Sequence, residues 1–307
     1  MSADPAATAS VDRTPTVGGR GWLGSLNDAF GGGSGARWLL VPPILFLCLL
    51  LLVPLVYLFV LALEHGDAGK TGFGEAFGDH LFWQSMWRTF VLAAVVSFFT
   101  VVFGTLYALA IAAAPKWLAI ILLIALFTIF WTSLLVRTYG WMLLDLPQGG
   151  IYWFLHTLGL RSKPLEIFQT NTASYPAMVH VMMPYVVLPV LAGTRQLDPM
   201  QIRAARVLGA KPPLVLRKVV LPALRGGIVA GAVLVFVMSL GFYVTPTLLG
   251  DPTKQLVAST IGHDFSVPGA APTAAAMSLA LLAVVVIVYV IADKVFRVSE
   301  TWGGEAL

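Results

Sequence analysis

DPMQIRAARVLGAKPPLVLRKVVLPALRGGI, residues 198–228, is a polar island between long apolar runs. Six basic residues (Arg203, Arg206, Lys211, Arg217, Lys218, Arg225), with Arg195 just upstream, face a single acid, Asp198. Asp198 is a good N-cap, and Pro199 suits the first helical position, where a missing N–H costs nothing. Gly209 can take the backbone conformation that ends a helix. Pro212 and Pro213 block continuation of that helix but can open a second one, which runs to Leu221-Pro222. The spacing predicts two short helices meeting at a bend, the shape of a docking surface between two membrane spans.

Composition places the whole chain in a membrane. Hydrophobic residues make up 58% and charged residues 11% of the 307, and the mean hydropathy is +0.85, outside the range of soluble domains. Apolar runs of about 20 residues, enough to cross the hydrocarbon, recur along it. The net charge of +4 first reports orientation in such a chain, so no nucleic-acid partner is expected. The single Cys48 lies in an apolar run, which excludes a disulfide framework. The five His have no metal-ligand spacing and read as interfacial or packing residues.

In chain order, residues 1–36 are rich in small and polar residues and cannot bury enough apolar surface to fold alone. They read as a disordered cytoplasmic tail without the apolar core of a signal peptide. A transmembrane domain is expected over 37–298, with spans at about 38–63, 88–114, 118–144, 173–193, 226–249 and 272–292, and a short tail at 299–307. Pro176, Pro184 and Pro189 are expected to break the fourth span, while Gly226, Gly227, Ala230 and Gly231 suit close packing of the fifth. The loop 64–87 contains Gly69-Lys70-Thr71, but a phosphate loop needs a Gly where Glu64 stands. In the loop 145–172, an amphipathic segment at 151–158 suits the membrane surface.

Six spans put both termini on one side. That side holds thirteen of the nineteen Lys and Arg, so the positive-inside rule places residues 198–222 and both tails in the cytoplasm. No repeat and no ordered catalytic set stands out, which argues against a secondary carrier and an intramembrane enzyme. Either rival, or a channel, would also leave the basic docking stretch unexplained.

Ala204-Ala205, then Gly209, then Val220-Leu221-Pro222 closely resembles the EAA loop of permease subunits of bacterial ABC importers, whose Glu falls here at Arg203. The resemblance implies an all-α membrane protein with six transmembrane helices of the type I importer kind and cytoplasmic coupling helices between spans 4 and 5. It also implies a non-catalytic subunit in the bacterial cell membrane, working with a second homologous permease, an extracytoplasmic binding protein and two ATPase subunits. Those ATPases would hold the ATP and Mg; this chain would bind no cofactor and no metal. Arg203, Ala204, Ala205, Gly209, Leu221 and Pro222 would then serve ATPase coupling.

Two further segments, Phe130-Trp131-Thr132-Ser133-Leu134-Leu135-Val136-Arg137-Thr138-Tyr139 and Gly241-Phe242-Tyr243-Val244-Thr245-Pro246-Thr247-Leu248-Leu249-Gly250, look like those of spermidine/putrescine permeases. A polyamine is therefore the implied solute; thiamine, iron, phosphonate, opine and oxyanion importers have related permeases. Substrate-path candidates are Trp131, Arg137, Tyr139, Asp145, Tyr185 and Tyr243. The aromatics offer faces to a cation, worth about 0.5–2 kcal/mol each, although Trp and Tyr also collect at membrane interfaces. Arg137, a charge within a span, would alone favour an anion; the polyamine permeases share an Arg there, which suits a structural role, with Asp145 a conceivable partner.

Overall fold

A computed structural model describes residues 35–296 apart from 67, 68 and 161. Of the expected tails, residues 1–34, with Arg13 and Arg20, and 299–307 lie outside the described residues, as do Asp67 and Arg297, while Gly35 and Ala36 of the expected disordered tail already begin a helix. Among the described residues all regular structure is helical, and a lone bridge joins His65 to Thr71. The helices are α1 (Gly35–Leu63), α2 (Gly72–Gly78), α3 (His80–Ala113), α4 (Lys116–Trp131), α5 (Leu134–Asp145), α6 (Gly150–Thr157), α7 (Asn171–Arg195) and α8 (Pro199–Val207). They continue as α9 (Pro212–Val215), a π-helical turn (Leu216–Val220), α10 (Leu221–Ala223), α11 (Arg225–Leu240), α12 (Val244–Leu249), α13 (Val257–Asp264) and α14 (Ala271–Phe296).

Four of these are long and apolar enough to cross a bilayer: Val41–Leu63, His80–Ala113, Asn171–Arg195 and Ala271–Val295. Two bent pairs bring the total to as many as six, α4 with α5 at 104° and Pro212–Ala223 with α11 at 66°. Residues up to Tyr57 form a unit by themselves. In it α1 runs through Pro42, Pro43 and Pro54, and Leu50, Leu51 and Tyr57 are each more than 60% exposed.

The remaining body is built on α3, α7 and α11, which pack against one another more extensively than any other described elements. Leu92, Val96, Met178, Val186, Val187 and Val235 fill the space between them. In a bilayer the alternative to this packing is lipid rather than water, so close contact, more than removal from water, holds helices together. Glycine supplies that closeness on both sides of Val186. A Cβ on Gly104 would lie 2.9 Å from Val186 Cβ, and one on Gly231 would lie 2.9 Å from Val186 Cα. One turn away, a Cβ on Gly227 would stand 2.5 Å from the Pro189 carbonyl oxygen. A second cluster packs α14 through Ala275, Ala276 and Met277 against Ala76, Phe82, Met86 and Val257.

Four boundaries differ from the sequence expectation. The second span starts at His80 rather than 88, because the Asp79 carboxylate accepts from the Leu81 N–H (2.8 Å) and caps the helix there. The third is two helices, broken where Thr132 turns extended after its hydroxyl donates back to the Thr128 carbonyl (2.8 Å). The fourth is not broken: α7 stays helical through all three prolines, as membrane helices can when neighbours satisfy the freed carbonyls. The fifth ends at Leu240, and residues 244–249 form the separate α12.

Candidate functional site

Residues 198–224 fold as two short helical arms. Asp198 caps α8 by accepting from the Met200 N–H at 2.8 Å, and Pro199 occupies the first turn. At the other end the Gly209 N–H donates to the Arg206 carbonyl and the Ala210 N–H to the Ala205 carbonyl, both at 3.0 Å. With Gly209 at φ +80°, this is the paired-bond termination that needs a left-handed residue. The chain restarts helical at Pro212. Pro222 then has no N–H to offer the carbonyl four residues back, and the preceding turn widens: the Leu221 N–H reaches the Leu216 carbonyl. The arm ends at the buried Leu224, where the axis turns into α11.

The surface of these arms is both basic and apolar. Arg203, Arg206, Lys211, Arg217 and Lys218 are exposed, and among the described residues none has an ion-pair partner. Val207 and Leu208 are each 87% exposed at the bend. Ala204 is exposed, Ala205 half-buried, Leu221 half-buried and Pro222 exposed. The apolar tip was not singled out in the sequence, because Val207-Leu208 reads there as the last turn of an ordinary helix.

The path candidates do not form one cluster. Arg137, on α5, is half-buried with its Nε unpartnered, and it lies near Tyr185 and His180 on α7. Tyr185 in turn meets the Phe130 ring edge-on at 5.7 Å. Asp145 is 1% exposed with its Oδ2 unpartnered; among the described residues no ion pair joins it to Arg137. Trp131 is 88% and Tyr139 49% exposed, away from this group. Tyr243 stands against Gly262 and lines a separate cavity of about 640 Å³ with Val237, Met238, Ile261 and Leu281.

Trp141, not singled out in the sequence, meets His180, which the sequence reading took for a packing residue. The Trp141 Nε1–H donates to His180 Nδ1 at 3.4 Å. His180 also borders a largely apolar groove of about 730 Å³ between α3 and α7, with Phe99, Phe103, Tyr107, Tyr175 and Val179. An ionisable side chain in mid-span was the available signal for His180. At the end of α13, burial pushes the Asp264 carboxyl above the ordinary range, against the opposing charge of His263. Hydrogen bonds from the Thr253 hydroxyl and N–H hold Asp251 below it. Among the described residues no His, Cys, Asp and Glu cluster could hold a metal.

Against known proteins, residues 104–298 match the family model described as "Binding-protein-dependent transport system inner membrane component". The spermidine/putrescine transport system permease protein PotB of Haemophilus influenzae is 28% identical over 221 residues, covering 71% of this chain and 77% of that one. The inner membrane ABC transporter permease protein YdcU of Escherichia coli K12 is 33% identical over 168 residues, 51% of this chain and 53% of its own length. A crystal structure of a bacterial alginate ABC transporter, in complex with alginate pentasaccharide-bound periplasmic protein, superposes with a TM-score of 0.71 at 17% identity. That likeness covers 85% of this chain and 93% of the other. At that identity the likeness is one of fold.

Proposed function

The chain belongs to the binding-protein-dependent transport system inner membrane components, and on that premise we propose that residues 198–222 are the surface through which a cytoplasmic ATPase drives the import of a polyamine. The observation that carries this reading is the exposed tip Val207-Leu208, ringed by basic side chains without partners among the described residues. Water-exposed apolar side chains framed by charge are what a protein interface leaves behind when its partner is absent. The EAA-like spacing falls on the same turn: Ala204, Ala205 and Gly209 shape α8 and its end. Leu221 and Pro222 set the angle at which the second arm joins α11. Arg203 replaces the acid usual in such loops, so the partner ATPase is expected to present an acid to it.

In this reading the subunit performs no bond chemistry. Two ATPase subunits, carrying ATP and Mg, engage this surface and the equivalent one on a second permease. An external binding protein delivers the solute from the opposite face. Both termini and the basic arms lie in the cytoplasm, as the excess of Lys and Arg on that side favours. The likeness to PotB supports polyamine as the solute. One observation favours a second solute class: the unpartnered Arg137 beside His180 would suit an anion.

The test is ATPase activity of the complete complex in lipid with its binding protein, across polyamines, amino acids, thiamine and oxyanions. Stimulation by spermidine or putrescine is expected. Stimulation by an oxyanion alone would overturn the solute and keep the importer. If no ATPase co-purifies with the chain, the coupling surface is wrong.

A further inference from the structure

Helix α5 buries one face, and that face is lined with oxygen. Thr138 and Asp145 are each 1% exposed and seven residues apart, two turns along the same side. The Thr138 hydroxyl donates to the Leu134 carbonyl (2.9 Å), which leaves the Thr245 hydroxyl of α12 to donate across the 3.1 Å gap between them. Between Thr138 and Asp145, Trp141 and Met142 pack on Ala173 and Ala177 of α7 and Leu249 of α12. The Asp145 Oδ2 has no donor at all.

An enclosed carboxylate without a donor is costly, whichever way the cost is met. Its position raises that cost, since Asp145 is the last residue of α5, where a helix gathers partial negative charge from its free carbonyls. The Gly149 backbone lies close over that helix end: a Cβ on Gly149 would lie 2.7 Å from the Leu144 oxygen, while the Leu146 carbonyl accepts from the Gly149 N–H at 2.8 Å. Burial disfavours a bare charge of either sign, but the carboxylate and the helix C-terminus together present negative charge that only a cation complements. α5 is also set off from its chain neighbours by a bend at each end. It follows a 104° break, is succeeded by Leu146-Pro147, and packs on α7 and α12 through Trp141 and Met142, while Leu134 at its start packs on the main core.

We propose that Asp145 is a cation subsite of the solute path, taking an ammonium group of the solute when α5 swings away from α7 and α12, with the C-terminal carbonyls of α5 beside it. This rests on the polyamine reading above and adds the residue and the motion. In the resting arrangement the subsite is closed, so solute cannot lodge there until the helices separate.

The test uses the full complex in proteoliposomes with its binding protein, comparing wild type, Asp145→Asn and Asp145→Glu for uptake of radiolabelled spermidine and putrescine. Asp145→Asn should assemble, as judged by size exclusion, and should melt no lower than wild type because it removes an uncompensated acid. Its KM for uptake should rise at least tenfold, and Asp145→Glu should restore most of the loss. Wild-type KM in Asp145→Asn overturns the proposal. So does a rise in KM accompanied by a fall in melting temperature that Glu does not rescue, since that marks a packing residue. Absence of polyamine uptake by wild type overturns the polyamine reading instead, and a neutral Asp145→Asn phenotype with whatever other solute is carried overturns the subsite as well.

Discussion

Gly209 is the residue on which the shape of the basic arms turns. Its φ of +80° lies where an L side chain costs roughly 1–2 kcal/mol, yet a Cβ there would meet nothing within 4 Å. Conformation, not space, demands the glycine. Gly209→Ala should therefore weaken ATPase binding by about fivefold, the equivalent of about 1 kcal/mol, while Gly209→Asn, which tolerates the left-handed region, should lose less. Titrating each variant with the ATPase subunit checks this. If Asn is as harmful as Ala, the partner's backbone touches Gly209 directly and the conformational account fails.

At the scale of elements, the molecule divides into helices locked by glycine and helices held by smaller contacts. Gly104→Val and Gly231→Val would each force atoms into Val186, an overpacking that typically costs about 1–3 kcal/mol. Thermal melting in lipid should fall by several degrees for either, whereas Gly140→Ala, on α5 with nothing within 4 Å of its added carbon, should not fall. Equal melting of all three would mean the α3–α7–α11 contact is softer than its geometry. Much of this was legible beforehand: the long apolar runs gave α3, α7 and α14, and Asp198, Pro199, Gly209 and Pro212 gave both arms. The break at Thr132-Ser133 was not, because no Gly or Pro announces it and the hydroxyl that competes for the helix carbonyl reads as an ordinary threonine. Proline misled in the opposite direction at Pro176, Pro184 and Pro189, where packing overrides the local rule. The likeness of Arg137 to a lone charge concealed His180, and no pattern in sequence reveals that Trp141 bonds to it or that Asp145 is sealed.

For the molecule as a whole, the distribution of charge separates two kinds of association. The basic arms should dock to their ATPase with marked salt dependence: binding is expected to weaken about tenfold between 0.05 and 0.5 M salt, as screening shortens to a few ångströms. Equilibrium binding across a salt series measures it, and a flat response would assign the affinity to Val207 and Leu208 alone. Within the bilayer such screening is absent, and helix fit decides. There Val186 has an unusual standing, since it touches glycine on two other helices. Three positions distant in the chain are thereby tied into a single heritable unit. Either glycine can acquire a side chain only at an overpacking cost while the valine stays, and shrinking the valine would leave two backbones without their spacer. Change at this junction is therefore least costly when the three positions change together.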